Sequence, residues 1–452
     1  MTDLRLPPQP SPTRSSAVRL SAARPTQDSG RGRAAHPRPP VPDRPLRFQR
    51  VHEAVLRIDA ATPADRDRAV DVLRALAIAG VVLGHWLVSA VVLRAGGHLM
   101  GDSPLAHMPA LAPLTWLFQT LALFFFVGGR VAARSYASAR AAGTSYRTWL
   151  GRRLARLVRP VVPLAVTWAM AWAGLVATGT AHETIHTLVW LVFSPLWFLA
   201  VYAALTACTP LVVRHGVRTA VVAGLLVAAL DGARALFGDD GAAGTVRLLN
   251  IPAAWLIPYA LGAAWSAGCF ARRRTAAALL LGGICATAAL ILWCGYPASM
   301  VGVPGPLISN LSPPTVAAVA FGLAQCGGAL LLCGPLRRLV GQRSSTAASQ
   351  VPDRGDRRAR PAHFLWAGVV LLSMSALTVF LWHQTAMLTT TLVPLGLGVF
   401  LPGLHTSPDG PAWVLLRLAW IPLFGAVLLA FRTIFQSYER PGRNSGQGTI
   451  ST

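Results

Sequence analysis

The chain has 452 residues, of which 53% are hydrophobic and only 13% charged, with a mean hydropathy of +0.49. That balance excludes an ordinary water-facing protein, because so many apolar residues cannot all be hidden in soluble cores. The net charge of +24 comes from arginine without a single lysine, spread over many short segments, which speaks against nucleic-acid binding: that needs the charge on one groove-fitting element.

Along the chain, residues 1–65 are rich in Pro, Arg, Ser and Ala. They lack apolar periodicity and any run long enough for a signal-peptide core, and are expected to form a disordered cytoplasmic tail. Apolar blocks of the length needed to cross roughly 30 Å of hydrocarbon follow. They run over 69–93, 111–133, 160–178, 187–212, 219–237, 250–269, 275–295, 313–334, 364–400 and 411–431. The expected fold is therefore all-α, a polytopic transmembrane bundle of about ten spans filling residues 66–433. The ninth block is too long for one straight crossing. It is either a tilted helix with a re-entrant lead-in near Phe364–Ser373 or two segments. Residues 342–362 read as a flexible cytoplasmic loop and 434–452 as a cytoplasmic tail, so any chemistry falls inside the bundle.

Arginine placement predicts the orientation. Of the 41 basic residues, 35 fall before the first span, in alternate connections and in the final tail, while Arg94, Arg234, Arg247 and Arg417 lie toward the opposite side. The positive-inside rule then puts both termini in the cytoplasm, as expected of a multi-pass protein of the plasma membrane. The six cysteines lie in or beside apolar segments without C-x-x-C spacing, so they predict packing residues and neither a disulfide framework nor a metal site.

Ionisable residues within spans are costly and mark candidate sites. The first span, RDRAVDVLRALAIAGVVLGHW, carries Arg74 and His85 eleven residues apart. At about 100° per residue this places them within roughly 20° of one helix face and about 16 Å apart along the axis. Asp71 falls near the same face, a turn before Arg74. The stripe thus offers an anion binder at one depth and a proton acceptor at another, although snorkelling of Arg74 and an interhelical hydrogen bond of His85 explain them as well.

The second span ends in FFFVGGRVAAR, where Gly128 and Gly129 permit close backbone approach and Arg130 lies about a turn inside. In the loop RRLARLVRP that follows, Arg153 and Arg156 share a face if helical. They form either a phosphate clamp or a contact with anionic membrane lipid. The fourth span opens with PLWFLAVY, whose Trp197, Phe198 and Tyr202 suit an interfacial aromatic belt. Asp231 and Arg234 form an i, i+3 pair in the fifth span, and the ninth carries His383 within FLWHQT.

In this order the motifs resemble those of the acyltransferase 3 family, membrane enzymes that move acyl groups from a cytoplasmic donor to hydroxyls. Arg74 and His85 match its Arg-x10-His signature, FFFVGG its second-span motif, Arg153 and Arg156 its Arg-x-x-Arg pair, PLWFLAVY its Trp motif and VFLWHQ its late histidine motif. The similarity covers about residues 66–432. The resemblance implies that His85 is catalytic and that Arg74, Arg153 and Arg156 hold acyl-CoA, used as co-substrate with no bound cofactor. Asp71, Arg130, Trp197, Tyr202 and His383 would lend support. The acceptor would be a hydroxyl-bearing glycan, lipid or secondary metabolite. Many relatives carry a Glu where this chain has Tyr202, so that acidic partner is absent. The FFFVGG variant and the spacing of Asn250 and Trp255 resemble an actinobacterial-type branch. A transporter or flippase using buried His and Arg as substrate ligands is the alternative; its expected mark, similarity between the two halves, is missing from the sequence.

Overall fold

The computed structural model describes residues 47–63, 66–94, 96–238, 242–302, 309–341 and 360–439. The remainder of the N-terminal tail, most of the 342–362 loop and the end of the C-terminal tail lie outside the described residues. The expected helical bundle is what forms. Among the described residues nine helical runs are long and apolar enough to cross a membrane, or ten with one bent pair counted as a span.

Helix α1 (Arg47–Ala60) lies within the stretch read from composition as tail. From its last turn, Asp59 forms an ion pair with Arg68 (2.6 Å) and lies 3.2 Å from Nδ1 of His363. Helix α2 (Arg68–Val88) follows Asp67 and is buried along most of its length. It stops short of the expected Leu93 because the chain becomes extended at Ser89 and enters a hairpin, β1 (Ala90–Leu93) against β2 (Leu99–Asp102). The pairing is antiparallel, Ala90 opposite Asp102 and Leu93 opposite Leu99. The run AVVL is apolar and β-branched, so hydropathy counts it as span while its backbone preference is for a strand.

A short helix α3 (Pro104–His107) and a 3-10 segment with Pro109 and Pro113 lead into α4 (Leu121–Ala141). The arginine-rich connection is helical: α5 (Tyr146–Val158) begins where the Ser145 hydroxyl accepts from the Thr148 amide, a side-chain N-cap. Then come α6 (Val161–Ala177), α7 (His182–Phe193), α8 (Trp197–Ala207) and α9 (Thr209–His215). Pro195 separates α7 from α8, and Pro210 opens α9. Next are α10 (Val217–Phe237), α11 (Ala242–Arg247), α12 (Asn250–Ser266), α13 (Arg273–Trp293) and α14 (Val316–Leu339).

The long ninth block is two helices, α15 (Arg360–Met374) and α16 (Ala376–Gly396), bent by 80° at Ser375. The Ser375 hydroxyl donates to the Leu371 carbonyl at 2.7 Å and accepts from Arg432 Nε at 2.6 Å, so the break is satisfied inside the protein, as backbone at membrane depth requires. Arg432 belongs to the last long helix, α17 (Pro411–Phe435).

The main core gathers α2, α4, α12 and α16 at the centre. Helices α13 and α17 bury little of their surface and present apolar residues such as Leu281, Leu292, Leu415 and Leu429 outward, as a lipid solvent allows. Close helix approach uses glycine. A Cβ on Gly129 of α4 would run into the Tyr259 carbonyl of α12, and one on Gly262 of α12 into the Phe126 carbonyl of α4. Small residues let helix backbones touch where lipid supplies no hydrophobic drive for association. Of the cysteines, Cys326 and Cys333 are buried packing residues as expected, whereas Cys208, Cys269, Cys285 and Cys294 are exposed; all six are free thiols. Asp231 and Arg234 do pair, at 3.3 Å, and Asp231 also accepts from Tyr296 Oη (2.7 Å) and the Val316 amide (2.9 Å).

Candidate active site

Two histidines that lie far apart in sequence meet at the centre. The His85 ring, near the end of α2, faces the His383 ring of α16 with 5.1 Å between centroids. His383 is 1% exposed, and His85 is half-buried. Nδ1 of His383 lies 2.5 Å from the Phe380 carbonyl, which only accepts, so Nδ1 carries the proton and Nε2 the lone pair. That Nε2 is buried and has no hydrogen-bond partner among the described residues. Nε2 of the Gln384 carboxamide approaches Nδ1 of His85 at 3.4 Å, and its buried Oε1 likewise has no partner among the described residues. A polar atom left in this state in a low-dielectric interior costs free energy unless something supplies a donor. The centre is therefore arranged to receive a hydrogen-bond donor.

The rest of α2 distributes its charges as its sequence spacing predicts. Asp71 accepts from Arg66 Nε at 2.6 Å and pairs with Arg74 at 3.3 Å. Arg74 stays partly exposed. At the start of the helix, Asp67 collects two arginines from other helices: Arg337 of α14 binds both its oxygens (3.1 and 2.8 Å), and Arg130 of α4 donates to Oδ2 at 3.1 Å. Arg130 also lies over the Trp265 ring at 3.7 Å. It is thus ion-paired and stacked within the bundle.

Burial works against the Asp67 carboxylate, but the hydrogen bond and charge of Arg337, with the charge of Arg130, hold its pKa below the usual carboxylate range. Since the folded pKa is the lower one, the cluster's stabilisation is complete above the ordinary value of about 3.9 and is lost as pH falls through the depressed folded value. Asp67→Asn should therefore lower stability near pH 7 by about 1–3 kcal/mol, the scale for hydrogen bonds to charged groups. In thermal unfolding of the detergent-purified protein, the gap to wild type should hold from pH 7 to pH 5 and close only under stronger acid. Equal stability at pH 7 would count against a linking role for Asp67.

Arg153 and Arg156 lie on one helix but have different surroundings. Arg153 is half-buried, donating to the Val131 carbonyl at 3.4 Å and lying 5.4 Å from the Trp149 ring centroid, while Arg156 is exposed. The α8 aromatics are not a simple interfacial belt. Phe198 is 4% exposed and packs on Phe124, Phe125 and, at 5.2 Å, on Phe380 of the histidine helix. Tyr202 packs on Phe124, Phe125 and Tyr259, and only Trp197 of the three remains exposed. The structure thus brings His85, His383 and, through Phe198, the α8 aromatics together. Arg153 and Arg156 stay on α5, where they do not join this centre.

Several residues escape a reading of the sequence. Asp67, Arg337 and Gln384 look ordinary until the helices are packed. Arg417 counts by position among the few arginines on the opposite side, but it is 1% exposed inside the bundle. A charge in the middle of an apolar helix was the available signal.

The described helices form a polytopic bundle with His85 set against His383 at its centre. The family model described as an acyltransferase domain matches residues 67–435, and the chain belongs to the acyltransferase 3 family. No curated protein and no solved structure matches it.

Proposed function

We propose that this membrane acyltransferase moves an acetyl or other short acyl group from acyl-CoA to a hydroxyl of a glycan, lipid or secondary metabolite, with His85 as general base. The observation that carries this reading is the half-buried His85 imidazole set against His383 and Gln384 at the centre of the bundle. A carboxamide presents either an acceptor or a donor to a ring nitrogen. In the structure Gln384 faces Nδ1 of His85 with its Nε2; turning the carboxamide over by 180° places Oε1 there to accept from Nδ1–H, and the Nε2 lone pair of His85 is then free. That nitrogen takes the hydroxyl proton as the oxygen attacks the thioester carbonyl. Collapse of the tetrahedral adduct breaks the C–S bond and expels the CoA thiolate, which recovers the proton from the imidazolium. The acyl group leaves as an ester and CoA leaves as the thiol. His383 packs against the His85 ring and supports its position.

Arg74, Arg153 and Arg156 are assigned to the anionic donor, whose phosphates match guanidinium forks. Asp71 holds Arg74; Arg130, Trp197 and Tyr202 support the surrounding helices. The orientation follows from the arginine asymmetry, with both termini on the cytoplasmic side of the plasma membrane, where acyl-CoA is available.

The test is acyl transfer by the purified protein from radiolabelled acetyl-CoA, with and without cell-envelope glycans. Arg153→Ala and Arg156→Ala should raise the donor KM more than they lower kcat, because contacts remote from the thioester contribute mainly uniform binding. Added salt should weaken donor binding in the same sense. Failure to consume acetyl-CoA or any longer acyl-CoA would remove the donor assignment, and an unchanged donor KM in both variants would return this helix to lipid binding.

A further inference from the structure

The least expected charge in the protein is Arg417. It is 1% exposed, and no acidic partner for it is found among the described residues. Its guanidinium is satisfied by backbone oxygens instead. Nε donates to the Trp86 carbonyl at 2.8 Å, Nη2 to the Ser89 carbonyl at 2.7 Å and Nη1 to the Gly403 carbonyl at 3.3 Å; Nη2 also meets Met387 Sδ at 2.9 Å. Trp86 and Ser89 belong to the last turn and C-cap of α2. The carbonyls of that turn have no intrahelical donors, and the helix dipole makes the end negative, so a buried cation is suited to hold it.

The grip does not end at the backbone. Trp86 adjoins His85, and its indole Nε1 donates to the backbone carbonyl of His383 at 2.9 Å. The same indole packs edge-on against Phe424 of α17 at 5.4 Å, and the Arg417 guanidinium lies 4.8 Å from the Phe424 ring centroid. One tryptophan is thus fastened to α17 by its carbonyl and its ring, to His383 by its indole N–H, and to His85 by the peptide chain. Sequence separation says nothing of this, since the residues come from three different helices.

We propose that Arg417, acting through Trp86, is a positioning residue that fixes the end of α2 and so sets His85 against His383 for the acyl transfer. The inference rests on the assignment of that pair as the reaction centre. The hydrogen bonds of Arg417 go to backbone carbonyls and Met387 and not to the reacting imidazole, so its removal should leave substrate binding in place and loosen the geometry of transfer. A misplacement of about 1 Å at the reacting atoms costs on the order of a hundredfold in rate.

The test uses Arg417→Met, Arg417→Lys and Trp86→Phe, each purified in detergent, with kcat and both KM values measured per folded protein. Arg417→Met should lower kcat ten- to a hundredfold, with donor and acceptor KM within about twofold of wild type. Lys keeps the charge and reaches fewer carbonyls, so it should restore part of the loss. Trp86→Phe removes the bond to the His383 carbonyl and part of the ring packed on Phe424 while leaving the Trp86 backbone oxygen for Arg417, and should show the same kcat-selective defect. Combining Arg417→Lys with Trp86→Phe should cost less than the product of the two single losses, because both act on one link. If the Met variant does not fold, Lys and Phe decide the matter. Wild-type kcat in Trp86→Phe and Arg417→Lys would overturn the proposal, as would losses explained wholly by KM or by the folded fraction. Wild-type kcat in His85→Gln would instead overturn the assignment beneath it.

Discussion

Replacing His85 by Gln or Ala is expected to lower kcat by about a hundredfold or more while leaving the amount of folded protein and the donor KM near those of wild type, the usual scale for loss of a positioned general base. The reason to expect so selective an effect is that, among the described residues, the one side-chain hydrogen-bond partner of His85 is Gln384 at 3.4 Å, a contact that Gln at position 85 can replace. His383→Gln should cost less in kcat and more in folded protein, because that ring is almost fully buried and bonded to Phe380. A pH profile separates the roles further. Wild-type activity should fall on acidification as the imidazole becomes protonated, and whatever rate His85→Gln retains should lack that limb. A Gln variant as fast as wild type would transfer the assignment to His383. Loss of both His85 variants from the membrane would mean that His85 holds helices together.

Gly129→Ala and Gly262→Ala are expected to be the most destabilising single-methyl changes in the bundle. Each would drive a Cβ into a backbone carbonyl of the facing helix, Tyr259 for Gly129 and Phe126 for Gly262, and a carbonyl cannot swing aside as a side chain can. Overpacking of this kind costs about 1–3 kcal/mol when the surroundings relax by moving backbone. One separation of α4 from α12 relieves both clashes, so the double variant should lose less than the sum of the two singles. Activity should fall with stability, since α4 carries Phe125 beneath Phe198 and Arg130 against Trp265. Thermal unfolding of the three purified variants is the measurement. Unchanged midpoints in both singles would show that the helices do not cross as closely as the glycines permit.

The sequence by itself determined that this chain is a helical membrane bundle and where most of its spans lie. Composition and block length answer to the solvent, and lipid imposes about the same length on every crossing whatever its neighbours. It also determined that Arg74 and His85 share a stripe and that Asp71 lies beside Arg74, because three- and four-residue spacing within one helix is local geometry. Local reading failed where backbone preference and hydropathy disagreed, as in the β1–β2 hairpin. Only the tertiary structure decided which helices meet: that His383 faces His85, that Gln384 stands beside it, that Asp67 gathers Arg130 and Arg337, and that Arg417 grips Trp86. The physical reason is that lipid is as apolar as the helix surfaces it covers, so hydropathy cannot say which face of a span turns inward. That choice is made by close packing at glycines such as Gly129 and Gly262, and by the need of every buried polar group to find a partner within the bundle.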